Sequence, residues 1–323
     1  MRHSGPVLVS GAAGFIGRRT VELLVQHGYQ VRALVRHPAR PAFDPSVDVF
    51  IGDLTKPESY ATALSGVWAV VHAALTEDFS QDVRVGSTLE DLSVRAGAQK
   101  FIHLSTIRVY GDPPDGIITE ESEPCPRDKY SCTKLAIEEA LRRSSGVAET
   151  VILRLGCVYG PGGGWWTDGL LSLMLKGRLI LVDGGAGTAN LIHVDDVGAI
   201  ILLSLARSKP GCEIFNVTDG APVSWSRYFS HLEAVLGRTA TISMNVAEAR
   251  DYARKWLRPS LPRRVIRKVL GRRYVHPLEE PGIESYASRA VFSNAKAVSA
   301  LGFKPCFDLD SGIRTITRRQ ERY

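Results

Sequence analysis

Tyr130 and Lys134 stand four residues apart in Tyr130-Ser-Cys-Thr-Lys134. A helix through this stretch places a phenol and an ammonium on one face. A neighbouring cation favours the tyrosinate and lowers the phenol pKa toward working pH, which suits Tyr130 to act as a general acid/base on a carbonyl or an alcohol. Upstream, Leu104-Ser105-Thr106 closes an apolar run, and either Thr106 or Ser105 could hydrogen-bond the same reacting oxygen. A proton donor and a hydroxyl do not move a hydride by themselves. That chemistry belongs to a cofactor.

A cofactor site is written near the N-terminus, where Val7 to Ser10 runs into Gly11-x-x-Gly14-x-x-Gly17. Glycines at this spacing let a strand turn sharply into a helix, let backbone approach a pyrophosphate, and let the helix pack closely on its sheet. The helix N-terminal N–H groups then face the anion. Which nicotinamide dinucleotide binds is decided at the end of the second strand, which reads Val35-Arg36 with Arg32 and Arg40 nearby. Arginine there favours a ribose 2′-phosphate, so NADP(H) is expected ahead of NAD(H). Asp53, in Ile51-Gly-Asp-Leu, follows the third strand, where it could contact the adenine or cap the next helix.

These groups need a scaffold, and the first 105 residues supply one by alternating β-branched runs with helix-length segments. Strands are expected at Val7 to Ser10, Val31 to Val35, Ala69 to Ala73 and Phe101 to Ser105, with a helix at Phe15 to His27 closed by Gly28. Thr150 to Leu155 and Glu213 to Val217 read as further strands of one parallel sheet. Gly160-Pro-Gly-Gly-Gly-Trp-Trp is a loop, whereas residues 240 to 290 lack a strand rhythm, hold Pro259, Pro262, Pro277 and Pro281, and read as a helical lobe or lid.

The chain has 323 residues and a net charge of +6. Residues 250 to 273 alone carry ten Lys/Arg against Asp251, or +9, which leaves −3 elsewhere. The high pI thus reflects one local patch and gives no reason to expect a nucleic-acid partner. The patch could clamp an anionic substrate through Arg263, Arg264 and Arg267, rest on anionic lipid beside Trp256 and Leu257, or form a solvated lid face; lipid contact is not favoured. The five cysteines are scattered, outside any C-x-x-C or Cys/His cluster, and read as reduced thiols with no metal expected. With no signal-like or membrane-length apolar run, the expected location is the cytoplasm.

In order along the chain, Gly11-Ala-Ala-Gly-Phe-Ile-Gly17, Gly52-Asp-Leu54, Val71-His-Ala-Ala74, Leu104-Ser-Thr-Ile-Arg-Val-Tyr-Gly111, Tyr130-x-x-x-Lys134, Arg154 with Tyr159-Gly-Pro161, Ile192-His-Val-Asp-Asp-Val197 and Phe215-Asn-Val-Thr-Asp219 resemble the extended short-chain dehydrogenase/reductase superfamily, also called the NAD(P)-dependent epimerase/dehydratase family. The resemblance implies an α/β fold, a Rossmann-type doubly wound parallel sheet with a smaller, discontinuous C-terminal substrate domain. The expected division is 1–155 with 188–222 for the cofactor, and 156–187 with 223–323 for the substrate. It implies Tyr130 as acid/base, Lys134 on the nicotinamide ribose, Thr106 on the substrate oxygen, and a homodimer.

Residues and resemblance together assign the cofactor to Gly11, Gly14, Phe15, Ile16, Gly17, Arg36, Asp53, Leu54, Ala73, Ala74, Ser105, Tyr130 and Lys134, and a small-molecule substrate to Thr106, Ile107, Arg108, Cys157 and Asn190. Four departures bear on that substrate. Ile107-Arg108 replaces the Asp-Glu pair of sugar-nucleotide 4,6-dehydratases, Ala189 stands where an arginine clamps a diphosphate, and Cys157 and Val83 stand where asparagines are usual. The expected activity is interconversion of a secondary alcohol and a ketone on a polyhydroxylated substrate, with a nucleotide-linked sugar as one form of it. The alternatives are a nucleotide-sugar epimerase without net cofactor turnover and a non-catalytic dinucleotide-binding regulator.

Overall fold

A computed structural model describes residues 5–38, 42–76, 79–144, 146–257 and 283–320. Short β-branched runs form the strands β1 (Val7–Ser10), β2 (Val31–Val35), β3 (Asp48–Ile51), β4 (Ala69–His72) and β5 (Lys100–Thr106). Next come β6 (Ile117–Ile118), β7 (Glu149–Leu155), β8 (Cys157–Tyr159), β9 (Leu179–Val182), β10 (Leu191–His193), β11 (Gly211–Val217), β12 (Thr241–Met244) and β13 (Val291–Phe292). Seven of them make one sheet in the order β11-β7-β5-β4-β1-β2-β3, and all its pairings are parallel. The chain leaves β1 toward β2 on one side and returns at β4 on the other. Ligands of open parallel sheets bind beyond the strand ends at such a reversal.

Strand alternation sorts the core into two layers. Val7 and Val9 of β1 face α1 (Phe15–Gln26) and α5 (Val194–Ala206), through Val21, Leu24, Val197 and Ile200. Leu8 faces the other way, into a cluster with Leu89 of α2 (Phe79–Arg95) and with Ile137 and Leu141 of α3 (Lys129–Arg143). The strands expected from sequence lie within two residues of those observed, and Gly28, at φ +77°, follows the end of α1.

A second core gathers Tyr159, α4 (Leu170–Leu175), α6 (Trp225–Leu236), Ala249 of α7 (Val246–Leu257), and Leu309, Ile313 and Ile316 of the helix Leu309–Gln320. Here the structure corrects the purely helical reading of 240 to 290, since β12 pairs in parallel with β9. Its Thr-Ile-Ser-Met sequence is short and mostly on the surface, so it carries no strong apolar run to announce itself. The glycine-rich loop ends in a π-helical turn, Trp165–Gly169, and not in irregular backbone throughout. The basic stretch enters α7 at Arg250, but Arg263, Arg264 and Arg267, on which the clamp reading rested, lie outside the described residues. Among the described residues no helix is long and apolar enough to cross a membrane.

Candidate active site

The turn after β1 is built from backbone. Gly11 has φ +71°, and a Cβ on it would stand 2.9 Å from the Ala74 backbone. Gly14 is the extended N-cap of α1, and its N–H donates to the Gly11 carbonyl at 2.9 Å. A Cβ on Gly17 would lie 2.2 Å from that same carbonyl oxygen. Glycine at both ends therefore lets the helix start flush against the strand, and the first-turn N–H groups, which have no partner inside a helix, open onto the cleft. Gly14, Phe15, Ile16, Gly17 and Ala73 line a space of about 400 Å³ there, while Ala74 backs Gly11.

The same cleft is lined by Ser105, Thr106, Tyr130 and Lys134. Asp128 caps α3 by accepting from the Ser131 N–H at 2.8 Å, with the Ser131 hydroxyl returning to the cap, so Tyr130 and Lys134 fall in the first two turns of the helix. The Tyr130 ring is half-buried and lies 5.9 Å from that of Phe79. Lys134 is buried, and its Nζ donates to the Leu104 carbonyl at 2.6 Å, two residues before Thr106. Burial pulls the ammonium down to about 8, and the nearby carboxylates of Asp82 and Glu138 oppose the fall. Thr106 ends β5, and its Oγ1 accepts from the Arg108 N–H at 3.2 Å. Ser105 differs, since its hydroxyl donates to Glu138 Oε1 and is already engaged.

Glu138 was not singled out from the sequence, although it stands four residues after Lys134 on the same helical face. Its carboxylate also accepts from Arg154 Nη2 at 2.7 Å, Arg154 Nη1 donates to the Tyr110 hydroxyl at 2.7 Å, and that hydroxyl donates to Asn216 Oδ1 at 2.9 Å. The chain is buried end to end, so it fixes α3 against β5, β7 and β11. Asp82 gave no sequence signal, because only the docking of α2 brings it beside Lys134; it accepts from the Thr76 N–H at 2.6 Å. Beneath them His72 accepts or donates at 2.8 Å to Ser10, and its ring lies 5.3 Å from that of His103. Burial, then the Lys134 charge, pulls His72 down to about 3 and His103 well below the ordinary range.

Ile107, Arg108, Cys157 and Asn190 meet around a second chamber, of about 70 Å³, together with Trp166, Trp225 and Phe292, which the sequence reading missed. The chamber shares Thr106, Arg108, Gly156 and Trp166 with the cleft. Asn190 is held by its own neighbours. Its Oδ1 accepts from Phe292 N at 3.0 Å and its Nδ2 donates to the Ala290 carbonyl at 2.9 Å. Burial pushes the Cys157 thiol above its usual range, so it is a protonated, apolar wall group. Arg108 Nη2 bonds Asp128 at 2.8 Å, and Nη1 stands 3.9 Å from Asp112.

Arg36, Asp53 and Leu54 lie at the carboxyl ends of β2 and β3, outside the lining of the cleft. Arg36 is exposed. Asp53 Oδ1 accepts from Thr55 N at 2.9 Å and from its hydroxyl at 2.8 Å, which, with the charges of Lys56 and Arg36, holds the carboxyl below its ordinary range. It makes a local turn and is not the cap of the next helical turn, whose cap is Lys56. Leu54 packs on the core. Arg32 is at the wrong end of β2: its Nη1 donates to the Ala63 and Ser65 carbonyls at 2.9 and 2.6 Å. Arg40 lies outside the described residues.

Residues 7–218 match the sequence model of the NAD dependent epimerase/dehydratase family. The chain belongs to that family. Curated relatives include reductases and dehydrogenases, and this chain is an enzyme of the same family: it is 32% identical over 254 residues to the 3-diazoavenalumate denitrifying reductase of a Streptomyces species, spanning 72% of this chain and 81% of the relative. It is 25% identical over 344 residues to the 3-beta-hydroxysteroid dehydrogenase of Mycolicibacterium neoaurum, spanning 96% and 89%. Among solved structures, MoeE5 in complex with UDP-glucuronic acid and NAD superposes with a TM-score of 0.75 at 25% identity, over 98% of this chain and 99% of MoeE5. The UDP-glucuronic acid 4-epimerase of Bacillus cereus, solved with NAD, gives 0.72 at 20% identity, over 98% and 99%, and shares the fold. Both of these solved structures carry NAD.

Proposed function

We propose that this member of the family is a nicotinamide-dependent oxidoreductase that interconverts a secondary alcohol and a ketone, with Tyr130 as the acid/base. The observation that carries the reading is the placement of Lys134: one turn beyond Tyr130, with its ammonium 2.6 Å from the carbonyl of Leu104, in the same cleft as Thr106 and the start of α1. In the forward direction Tyr130 gives its phenolic proton to the ketone oxygen; in reverse it takes that proton back. The Lys134 charge favours the tyrosinate left behind, and Thr106 donates a hydrogen bond to the same oxygen. Of the two strand-end hydroxyls, Thr106 suits this role better because that of Ser105 is held by Glu138.

The close approach at Gly11 and Gly17 and the unpaired N–H groups of α1 fit a dinucleotide pyrophosphate. A bound nicotinamide would supply or accept the hydride. The proposed division is 1–155 with 188–222 for this cofactor and 156–187 with 223–323 for the substrate. Exposed Arg36 supports NADP(H) as the preferred form, with NAD(H) the alternative that solved neighbours favour.

Net redox chemistry is preferred over epimerisation because the curated relatives include a ketoreductase from Stigmatella aurantiaca and a 2'-dehydrokanamycin reductase from Streptomyces kanamyceticus, besides the two enzymes above. Tyr130→Phe is the direct test. Turnover should fall by about 10²–10⁴-fold while cofactor affinity is unchanged; undiminished turnover would remove Tyr130 from the mechanism.

A further inference from the structure

Asp82, in the first turn of α2, is only 2% exposed, yet half of its carboxylate is unused. Oδ1 accepts from the Thr76 N–H at 2.6 Å, whereas Oδ2, equally shut off from solvent, has no hydrogen-bond partner. A carboxylate buried in this way is costly unless an opposite charge stands close by. The docking of α2 on α3 supplies one. The Phe79 ring lies 5.9 Å from that of Tyr130, the Thr133 hydroxyl reaches the Phe79 carbonyl at 3.5 Å, and a Cβ on Gly86 would meet the Ile137 side chain at 3.1 Å. With Phe79 beside Tyr130 and Gly86 beside Ile137, the helices run in one register, which sets Asp82 level with Thr133 and Lys134.

Lys134 has the complementary need. It is 4% exposed, and its ammonium makes one hydrogen bond among the described residues, to the Leu104 carbonyl. The other titratable groups around it are committed elsewhere. Glu138, on the same helix, is ion-paired with Arg154 at 2.7 Å. His72 of β4 and His103 of β5 are kept neutral by burial and by the Lys134 charge. At the mouth of the cleft Arg108 bonds Asp128 at 2.8 Å, and Tyr130 carries the proton to be moved. Asp82 is thus the facing acid whose charge is not already answered by a cation in contact. It acts through space across a buried gap, where a low dielectric strengthens the attraction. Of the two carboxylates that oppose the burial penalty on Lys134, Asp82 has the larger effect.

We infer that Asp82 is a positioning residue for the acid/base pair, the counter-charge that keeps the Lys134 ammonium protonated and seated at the Leu104 carbonyl. The consequence for Tyr130 rests on the oxidoreductase reading; the hold on Lys134 does not. Without this carboxylate Lys134 loses its proton at lower pH, and with the proton goes the charge that favours the tyrosinate.

The test is an NMR titration of the full chain carrying carbon-13 at its lysine Cε positions, with the Lys134 signal assigned by its loss in Lys134→Gln. In wild type the midpoint should lie at about 8. Asp82→Asn keeps an oxygen for the Thr76 N–H and removes the charge, so the midpoint should fall by about one unit or more. Asp82→Ser, which can also accept from that N–H, should do the same, and Asp82→Glu should return the midpoint to within about half a unit of wild type. Asp91→Asn removes an exposed acid farther along α2 and should leave it in place. With a ketone that the wild type reduces, the alkaline limb of kcat should move down in Asp82→Asn together with the Lys134 midpoint, a shift that a merely structural role would not produce.

A midpoint that stays within about 0.3 unit of wild type in Asp82→Asn and Asp82→Ser, or that moves as far in Asp91→Asn, would overturn the inference. If the midpoint moves and the alkaline limb of turnover does not, the catalytic reading of Tyr130 and Lys134 fails and the hold of Asp82 on Lys134 stands.

Discussion

The two ends of the cleft are made differently. At the β1–α1 end a single contiguous stretch, Val7 to Gly17, shapes the surface with backbone: a positive φ at Gly11, an extended cap at Gly14, and a helix start that tolerates no Cβ at Gly17. At the other end the walls are side chains drawn from separate places, Ile107 and Arg108, Cys157 and Trp166, Ala189 and Asn190, then Trp225 and Phe292. The first construction demands particular residues at particular spacings. The second demands only shape and polarity, which many residues can supply, so substrate choice can change while the cofactor turn stays as it is.

The sharpest way to break this contrast is to add atoms at the backbone end. Gly17→Val would drive carbon into the Gly11 carbonyl oxygen, which is backbone and cannot rotate away. Cofactor affinity should drop by more than about 100-fold, whereas the chamber around Trp166 and Trp225, built on the second core, keeps its shape. Equal loss at both sites in a thermal and calorimetric comparison would mean that the two ends are one cooperative unit.

A smaller effect separates the layers under the sites by pH. His72 and His103 are neutral in the folded chain and take protons when it unfolds, so the unfolded state binds more protons below the ordinary histidine pKa of 6.5. Stability should therefore fall as pH drops through 6.5, by about 1 kcal/mol for each ring between pH 6.5 and 5.5, and should go on falling toward about 3 for His72. Denaturant titrations of wild type and His103→Leu would show it: the variant should lose about 1 kcal/mol of the dependence between pH 6.5 and 5.5, and an unchanged slope would place the acid sensitivity at the other buried rings, His72 and His193, the latter drawn down to about 4 by burial.

The smallest effect concerns cofactor form. Arg36→Ser should shift the ratio of NADP(H) to NAD(H) affinity by about tenfold toward NAD(H), measured by fluorescence titration. A ratio that does not move would leave the exposed guanidinium as a solvated strand end.

The legibility of these parts follows from the same difference. The inner strands of the sheet were readable because they are buried on both faces and show as β-branched runs, unlike the mostly exposed edge strand β3, and Tyr130 and Lys134 because one helix turn relates them. Glu138 was readable in principle by the same spacing. Trp166, Trp225 and Asp82 were not, because nothing local links them to Thr106 or Lys134; only the docking of α2, the π-helical turn at Trp165–Gly169 and the start of α6 brings them there. β12 was hidden by its exposure, and Arg32 misled because it stands at the amino end of β2, where it donates to the Ala63 and Ser65 carbonyls.

The measurement that tests the oxidoreductase reading most directly is the absorbance of the reduced nicotinamide cofactor, followed while the chain acts on a panel of ketones and the alcohol product is counted. One cofactor oxidised for each alcohol formed is the expected result. Product formed with no net change in the cofactor, or steady turnover of the cofactor with no alcohol, would contradict it.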